Sequence, residues 1–303
     1  MNWRDLRWRA EAALLGAAIA GLRRLSPVAA SNLGGGVGRA IGPLLPVSRV
    51  ADRNLRLALP GLDRAARRRV IRGMWDNLGR TVTEMVHLDR LHRSVSGPGW
   101  DIEGGEHAAM VAAHPGPVVL VTAHLGNWEL PARVAGAYGI QLAAVYRAGP
   151  NPYVEAMVTR LRVAGAFGVM RMFPKGASGA RQAIVHLRGG GRLVMLVDQK
   201  MNDGIPARLF GHTAMTAPAA AALGLRLGAL VVPTFCRRIG PARLLAVCEA
   251  PLELPDSGDR IADVATLTQA INDRVEAWVR AQPQDWLWVH RRWPSETYIE
   301  ERP

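Results

Sequence analysis

Five short apolar runs, at 118–122, 142–146, 192–197, 229–235 and 244–247, punctuate the middle of the chain. Several are nearly all apolar, the pattern of strands in a sheet covered on both faces. Between and beyond them apolar positions recur every three to four residues, which predicts helices at 128–138, 152–166, 178–187, 218–227 and 261–281. Strand and helix in alternation predict an α/β body, a mixed, largely parallel central sheet flanked by helices. Residues 1–95 read as helical, and a tryptophan-rich stretch follows the last helix.

Composition narrows this picture. At 303 residues and 49 % hydrophobic, the chain can bury a substantial core and is no disordered protein. Its two cysteines, Cys236 and Cys248, lie in apolar strand-like runs and are expected as buried free thiols, in keeping with a reducing compartment. With no CxxC or HExxH, no metal site is expected. Gly34-Gly35-Gly36 lacks the lysine and hydroxyl residue of a phosphate-binding loop, and Gly189-Gly190-Gly191 is expected as a turn before a strand.

The formal net charge of +13 favours a polyanionic partner. The arginine-rich stretch 64–72 reads as a helix face, and no RNA- or DNA-binding signature accompanies it, so nucleic acid is not the expected partner. Anionic lipid, a phosphorylated glycolipid and an acidic carrier protein would all exploit the same field. Near the N-terminus the uncharged run 12–22 is too short to span a bilayer. Arg4, Arg7 and Arg9 before it, Arg23 and Arg24 after it, and Trp3 and Trp8 fit an interfacial anchor. A cleaved signal peptide and a helix packed on the domain are the alternatives. The chain thus divides into a membrane-associating helical segment, 1–45, and an α/β domain, 46–303, with a helical lead-in to about residue 95.

Chemistry concentrates in His124-Leu125-Gly126-Asn127-Trp128-Glu129, just past the run 118–122. Spacing alone carries little, because eight histidines and 25 acids give about 0.7 chance cases of this separation. In an unbroken helix the two side chains would point apart. Gly126 and Asn127 instead predict a turn and an N-cap, with a helix from Trp128, so that Glu129 in its first turn faces His124. A histidine oriented by a carboxylate can deprotonate a substrate hydroxyl, and no protein nucleophile is then needed. A buried structural histidine beside a surface glutamate is the alternative.

Open α/β sheets gather their sites at the carboxyl ends of strands, and Arg147 and Asp198 also stand just past predicted strand ends. If those strands are parallel neighbours, both converge with His124. Arg147 is then expected to clamp a phosphate or polarise an acyl carbonyl, and Asp198 and Gln199 to hydrogen-bond an acceptor. Arg160 and Arg162 are expected either to meet phosphate or to be solvated on a helix. Trp286, Trp288 and Trp293 beside Arg291 and Arg292 suggest an aromatic, basic surface for lipid, with core packing as the alternative.

Several segments together resemble the late acyltransferases of lipid A biosynthesis. They are Arg53-Asn54-Leu55 with Leu59-Pro60-Gly61, Asn77-Leu78-Gly79-Arg80 with Glu84, HLGNWE itself, Val145-Tyr146-Arg147 with Asn151-Pro152, and Arg160-Leu161-Arg162. Val197-Asp198-Gln199 with Leu209-Phe210-Gly211 and the stretch from Trp286 to Trp293 complete the set, in order over about residues 50–294. The glutamate at position 129 fits this family, whereas glycerolipid acyltransferases usually carry aspartate there. Phe173-Pro174-Lys175-Gly176 only superficially matches a motif of those enzymes, lacks its glutamate, and reads as a turn and helix start. The resemblance implies transfer of an acyl chain from acyl carrier protein to a hydroxyl of a phosphorylated glycolipid, a lipid A precursor. It implies a His124–Glu129 dyad, no cofactor, and a place on the cytoplasmic face of the inner membrane. A phospholipid or other glycolipid acyltransferase with the same dyad is one alternative. A non-catalytic basic protein binding membrane or nucleic acid is another.

Overall fold

A computed structural model of the chain describes residues 2–168 and 170–298. Four helices open it: α1 (Trp3–Arg23), α2 (Pro27–Ile41), α3 (Ser48–Ala58) and α4 (Arg64–Glu84). Three of their starts, Asn2 ahead of α1 among them, are set by side chains that satisfy N–H groups a helix leaves unpaired. Ser26 accepts from Ala29 N at 3.2 Å ahead of Pro27, and Asp63 accepts from Ala66 N at 2.6 Å. α2 lies along α4 with the two backbones in close approach, because glycine stands at the crossing on both sides. A Cβ on Gly79 would fall 2.0 Å from the Gly34 carbonyl oxygen.

The body follows as β1 (Gly99–Glu103), α5 (Gly105–Ala113), β2 (Val118–Thr122), α6 (Leu130–Ala137), β3 (Leu142–Tyr146), α7 (Pro152–Gly165), β4 (Arg171–Pro174) and α8 (Ala177–Arg188). Then come β5 (Arg192–Leu196), the hairpin β6 (Lys200–Leu209) and β7 (His212–Thr216), α9 (Ala219–Leu227), β8 (Leu230–Gly240), β9 (Arg243–Cys248) and α10 (Arg260–Ala281). Seven strands form one sheet in the order β1-β9-β8-β2-β5-β3-β4. The five from β8 to β4 are mutually parallel, and only the β8–β9 pairing is antiparallel. The expected mixed, largely parallel sheet flanked by helices is therefore what forms.

Successive residues of the central strands serve opposite faces. Val119, Val121, Ala143, Leu193 and Val231 enter the larger core, which includes Leu267, Ile271 and Val275 of α10. Val118, Leu120, Leu142, Ala144, Val194 and Val232 enter a second core with Val111 of α5 and Ala135 of α6. Burial on both faces is why these strands read as solid apolar runs. Cys236 and Cys248 are buried free thiols, and desolvation pushes them up to about 12 and about 11.

Some expectations need correction. β1, β4, β6 and β7 were absent from the hydrophobic pattern, because edge and hairpin strands carry charged or polar residues such as Asp101, Arg171 and Asn202. Phe173-Pro174 closes β4 rather than forming a turn, at the sheet edge where proline forfeits no ladder bond. Only Lys175-Gly176 turns, into α8. Trp286, Trp288 and Trp293 are buried to 3 % exposure or less, packed against Phe210 and each other, so they form core and no aromatic surface. Arg292 is buried with them, donating to Thr216 Oγ1 at 2.7 Å.

α1 buries no residue, yet it is tied to α7: Asn151 Nδ2 donates to Trp8 O and Glu11 Oε2, both at 3.0 Å, and Tyr153 donates to Asp5 at 2.8 Å. Trp3 and Leu14 remain largely exposed. Among the described residues no helix is long and apolar enough to cross a membrane. The glycine crossing of α2 and α4 is directly testable. Gly79→Ala is expected to destabilise the fold by about 1–3 kcal/mol through overpacking, read as a lower urea midpoint with an unchanged slope.

Candidate active site

β2 and β5 pair in parallel with Thr122 opposite Leu196, so residues two past each strand end stand at one level. Those residues are His124 and Asp198. His124 Nδ1 lies 2.9 Å from Asp198 Oδ1, and the backbone N–H of His124 donates to Oδ2 at 3.0 Å. Trp286 Nε1 donates to the same Oδ2 at 2.8 Å. The carboxylate can only accept, which assigns the ring proton to Nδ1 and leaves Nε2 as the basic nitrogen. Nε2 has no hydrogen-bond partner among the described residues. The rings of Trp128 and His290 flank the imidazole, at 5.4 and 6.0 Å between centroids.

The loop carrying His124 is gripped from behind. Gly126 has φ +58°, and a Cβ there would fall 1.7 Å from Cys236 O, so only glycine fits this turn. Its carbonyl accepts from Asn77 Nδ2 at 2.9 Å and Thr81 Oγ1 at 3.1 Å, and its N–H donates to Asp285 O at 2.9 Å. Asn127 donates through Nδ2 to the buried Glu84 at 2.8 Å, while its Oδ1 accepts from Glu129 N at 3.2 Å. This bond closes the turn, and α6 starts at Leu130 with Glu129, not Asn127, as its N-cap residue, two residues later than expected. Glu84 also accepts from Ser31 Oγ at 2.7 Å, from Ala242 N at 3.1 Å and from Arg238, which donates through Nε to Asn77 at 2.9 Å. From the other side Leu287 N donates to His124 O at 3.0 Å, and α3 holds the tail through Asn54 Nδ2 on Trp288 O and His290 O at 2.6 and 2.7 Å.

The remaining predicted residues are placed unevenly. The contact that orients the ring, expected of Glu129, is made by Asp198 at Nδ1. Both oxygens of Glu129 are taken by Arg162, at 2.8 to 3.2 Å, so Glu129 reaches His124 through its field and not through a hydrogen bond. Arg162 is accordingly half of a partly buried ion pair. Arg147 follows β3, one strand beyond β5; it and Arg160 are exposed, with no ion pair or hydrogen bond among the described residues. Gln199 stands at the rim, with Nε2 3.3 Å from His290 Nε2. Arg238, Thr81 and Asp285 escaped sequence reasoning as supports of the site, because nothing local in their segments marks them, and Trp286 was expected at a lipid-facing surface or in the core rather than as the donor to Asp198. Among the described residues no group of three or more His, Cys, Asp or Glu is arranged to hold a metal.

Burial works to lower the His124 pKa, but the Asp198 charge and hydrogen bond, helped by Glu129 and opposed by Arg162, hold it above its ordinary 6.5. Burial works to raise Asp198, and His124 and the Trp286 N–H overcome it, down to about 2. The His124 contribution to stability is therefore complete below the unfolded pKa and lost as pH rises through the folded one; that of Asp198 is present above its unfolded pKa and lost as pH falls through about 2. In Asp198→Asn the desolvation and the Arg162 charge remain while the main opposing charge is gone. The His124 titration, followed by its ring carbon-bound proton in NMR, is expected to move from above 6.5 to below it.

The site belongs to a recognisable lineage. The model of the bacterial lipid A biosynthesis acyltransferase family matches residues 6–295, a span that holds His124, Glu129, Arg162, Asp198 and the tail that supports them. No curated protein matches the chain in sequence. A match over nearly the whole length, with the strand-end histidine in place, makes this chain a member of the bacterial lipid A biosynthesis acyltransferases.

Proposed function

We propose that the protein moves a fatty acyl chain from acyl carrier protein to a hydroxyl of a lipid A precursor, or of an acyl chain already on it, with His124 as general base. The observation that carries this reading is the division of labour on one ring: Nδ1 is committed to a buried carboxylate, and Nε2 is free. Nε2 takes the hydroxyl proton as the oxygen attacks the thioester carbonyl carbon. The tetrahedral intermediate then collapses with cleavage of the C–S bond, and the imidazolium returns the proton to the departing thiolate. Asp198 holds the tautomer and balances the imidazolium, as the acid of a serine-hydrolase triad does.

Glu129, steadied by Arg162, adds its charge behind the imidazolium that Asp198 orients. Arg147, Arg160 and Gln199 are left to contact the phosphates and sugar of the acceptor. The chemistry calls on no cofactor, since the donor is itself a substrate. The reaction is proposed at the cytoplasmic face of the inner membrane, with α1 lying in the interface; the exposed Trp3 and Leu14 support that reading.

Purified protein supplied with acyl carrier protein thioester and lipid A precursor is expected to give a product heavier by one acyl group in mass spectrometry. His124→Ala should turn over about 100- to 10,000-fold more slowly while remaining folded. A near-normal rate in that folded variant would overturn the mechanism, and acylation of lysophospholipid in place of the precursor would reassign the acceptor. Because the base works unprotonated, the rate should climb with pH through the raised His124 pKa, and the Asp198→Asn limb should lie at lower pH.

A further inference from the structure

Away from the site, α3 and α4 border a groove of about 880 Å³. Arg49, Arg53 and Arg56 line one wall, and Arg64, Arg68 and Arg72 the other. Spacings of three and four residues set each trio along one helix face. Arg56 is paired with Asp52, 2.9 Å away, which also takes Arg67. The guanidinium groups of the other five make no ion pair or hydrogen bond among the described residues. Like charges gathered on one concavity repel, and an anion from outside relieves them.

Beside the groove runs an apolar ridge. Leu33, Val37 and Ile41 stand at helical spacing on the outer side of α2, each about half exposed, because Gly34 and Gly35 turn the inner side to α4. The ridge continues into Leu44, 81 % exposed, and Leu45, which also line the groove. An acidic protein segment lying in the groove would neutralise the arginines and leave the ridge wet. A bilayer satisfies both, with phosphates at the arginines and the ridge in the acyl boundary.

We propose that this face is a lipid-docking surface, in which the α3–α4 groove takes the phosphate of an anionic phospholipid headgroup while the α2 ridge enters the acyl layer. It extends the proposed function to how the membrane holding the acceptor is met. Binding is read without donor or acceptor, so its failure and a failure of acyl transfer are told apart.

The test is sedimentation of the full chain with phosphatidylcholine vesicles, with and without phosphatidylglycerol. Wild-type protein is expected to favour the anionic vesicles. Arg49→Gln/Arg68→Gln should weaken that binding about 30-fold, at about fivefold per arginine near a charged surface. Ile41→Ser/Leu44→Ser should weaken it as well, and Arg226→Gln/Arg260→Gln, equal in charge but elsewhere, should leave it within about twofold. All three pairs are solvent-facing; if the first lowers the melting temperature, Arg53→Gln/Arg72→Gln repeats the measurement. Equal losses from the groove and control pairs, or none from the groove, would overturn the proposal. So would groove variants that keep vesicle binding but no longer retain acyl carrier protein, which would make the groove a protein-docking site.

Discussion

Glu84 has no exposed surface, and a carboxylate so fully removed from water is tolerated only when donors fill its lone pairs. Its four donors come from four parts of the chain: the Ser31 hydroxyl in α2, the Asn127 amide in the loop, the Arg238 guanidinium in β8 and the Ala242 N–H in the turn that follows. One buried charge thereby sets the register between the helical layer and the sheet, and through Asn127 it fixes the loop that carries His124. Removing one partner of such a pair costs about 3–5 kcal/mol. That is a large share of the roughly 5–15 kcal/mol that holds a domain together. The position of the histidine is thus decided some distance from the histidine itself.

Much of the sheet was legible in the sequence because its central strands are buried on both faces. Runs such as Val118–Thr122 and Leu142–Tyr146 need no alternation, and their limits match the structure. Helix starts were legible where a capping side chain stood ahead of the apolar pattern, as at Asn151, whose Oδ1 accepts from Tyr153 N at 3.0 Å. The hairpin β6–β7 was not, since Asn202, Asp203, Gly204 and Pro206 give no apolar signal and its pairing is local geometry. The tail tryptophans illustrate a different limit. Aromatic residues beside arginines look alike in sequence whether they face lipid or core, and only the fold shows that Arg292 is buried along with them.

At the site, the strand-end argument correctly brought His124 and Asp198 to one level, because it depends only on two strands being parallel neighbours. Choosing the acid that touches the ring was a finer matter. Glu129 is near in sequence and stands close enough for its charge to act, but Arg162, 33 residues downstream, claims both its oxygens. Hydrogen-bond partners across elements are settled by competition, and spacing along the chain carries no record of the competitor. Arg147 stands just past the end of β3, the parallel neighbour of β5 on the side away from β2, and is exposed.

The indole of Trp286 closes the last coordination of Asp198, 88 residues after it, and the carbonyls of Trp288 and His290 are held by Asn54 more than two hundred residues before them. A polypeptide leaves the ribosome from its N-terminus, so the sheet, the imidazole and its carboxylate are all synthesised before the segment that finishes their surroundings. Until residue 290 has emerged and folded back, Asp198 lacks its indole donor and the loop lacks its outer wall. The surroundings of His124 and Asp198 are consequently completed only by the C-terminal segment, and a molecule clipped before residue 286 carries both side chains without the indole donor and the outer wall.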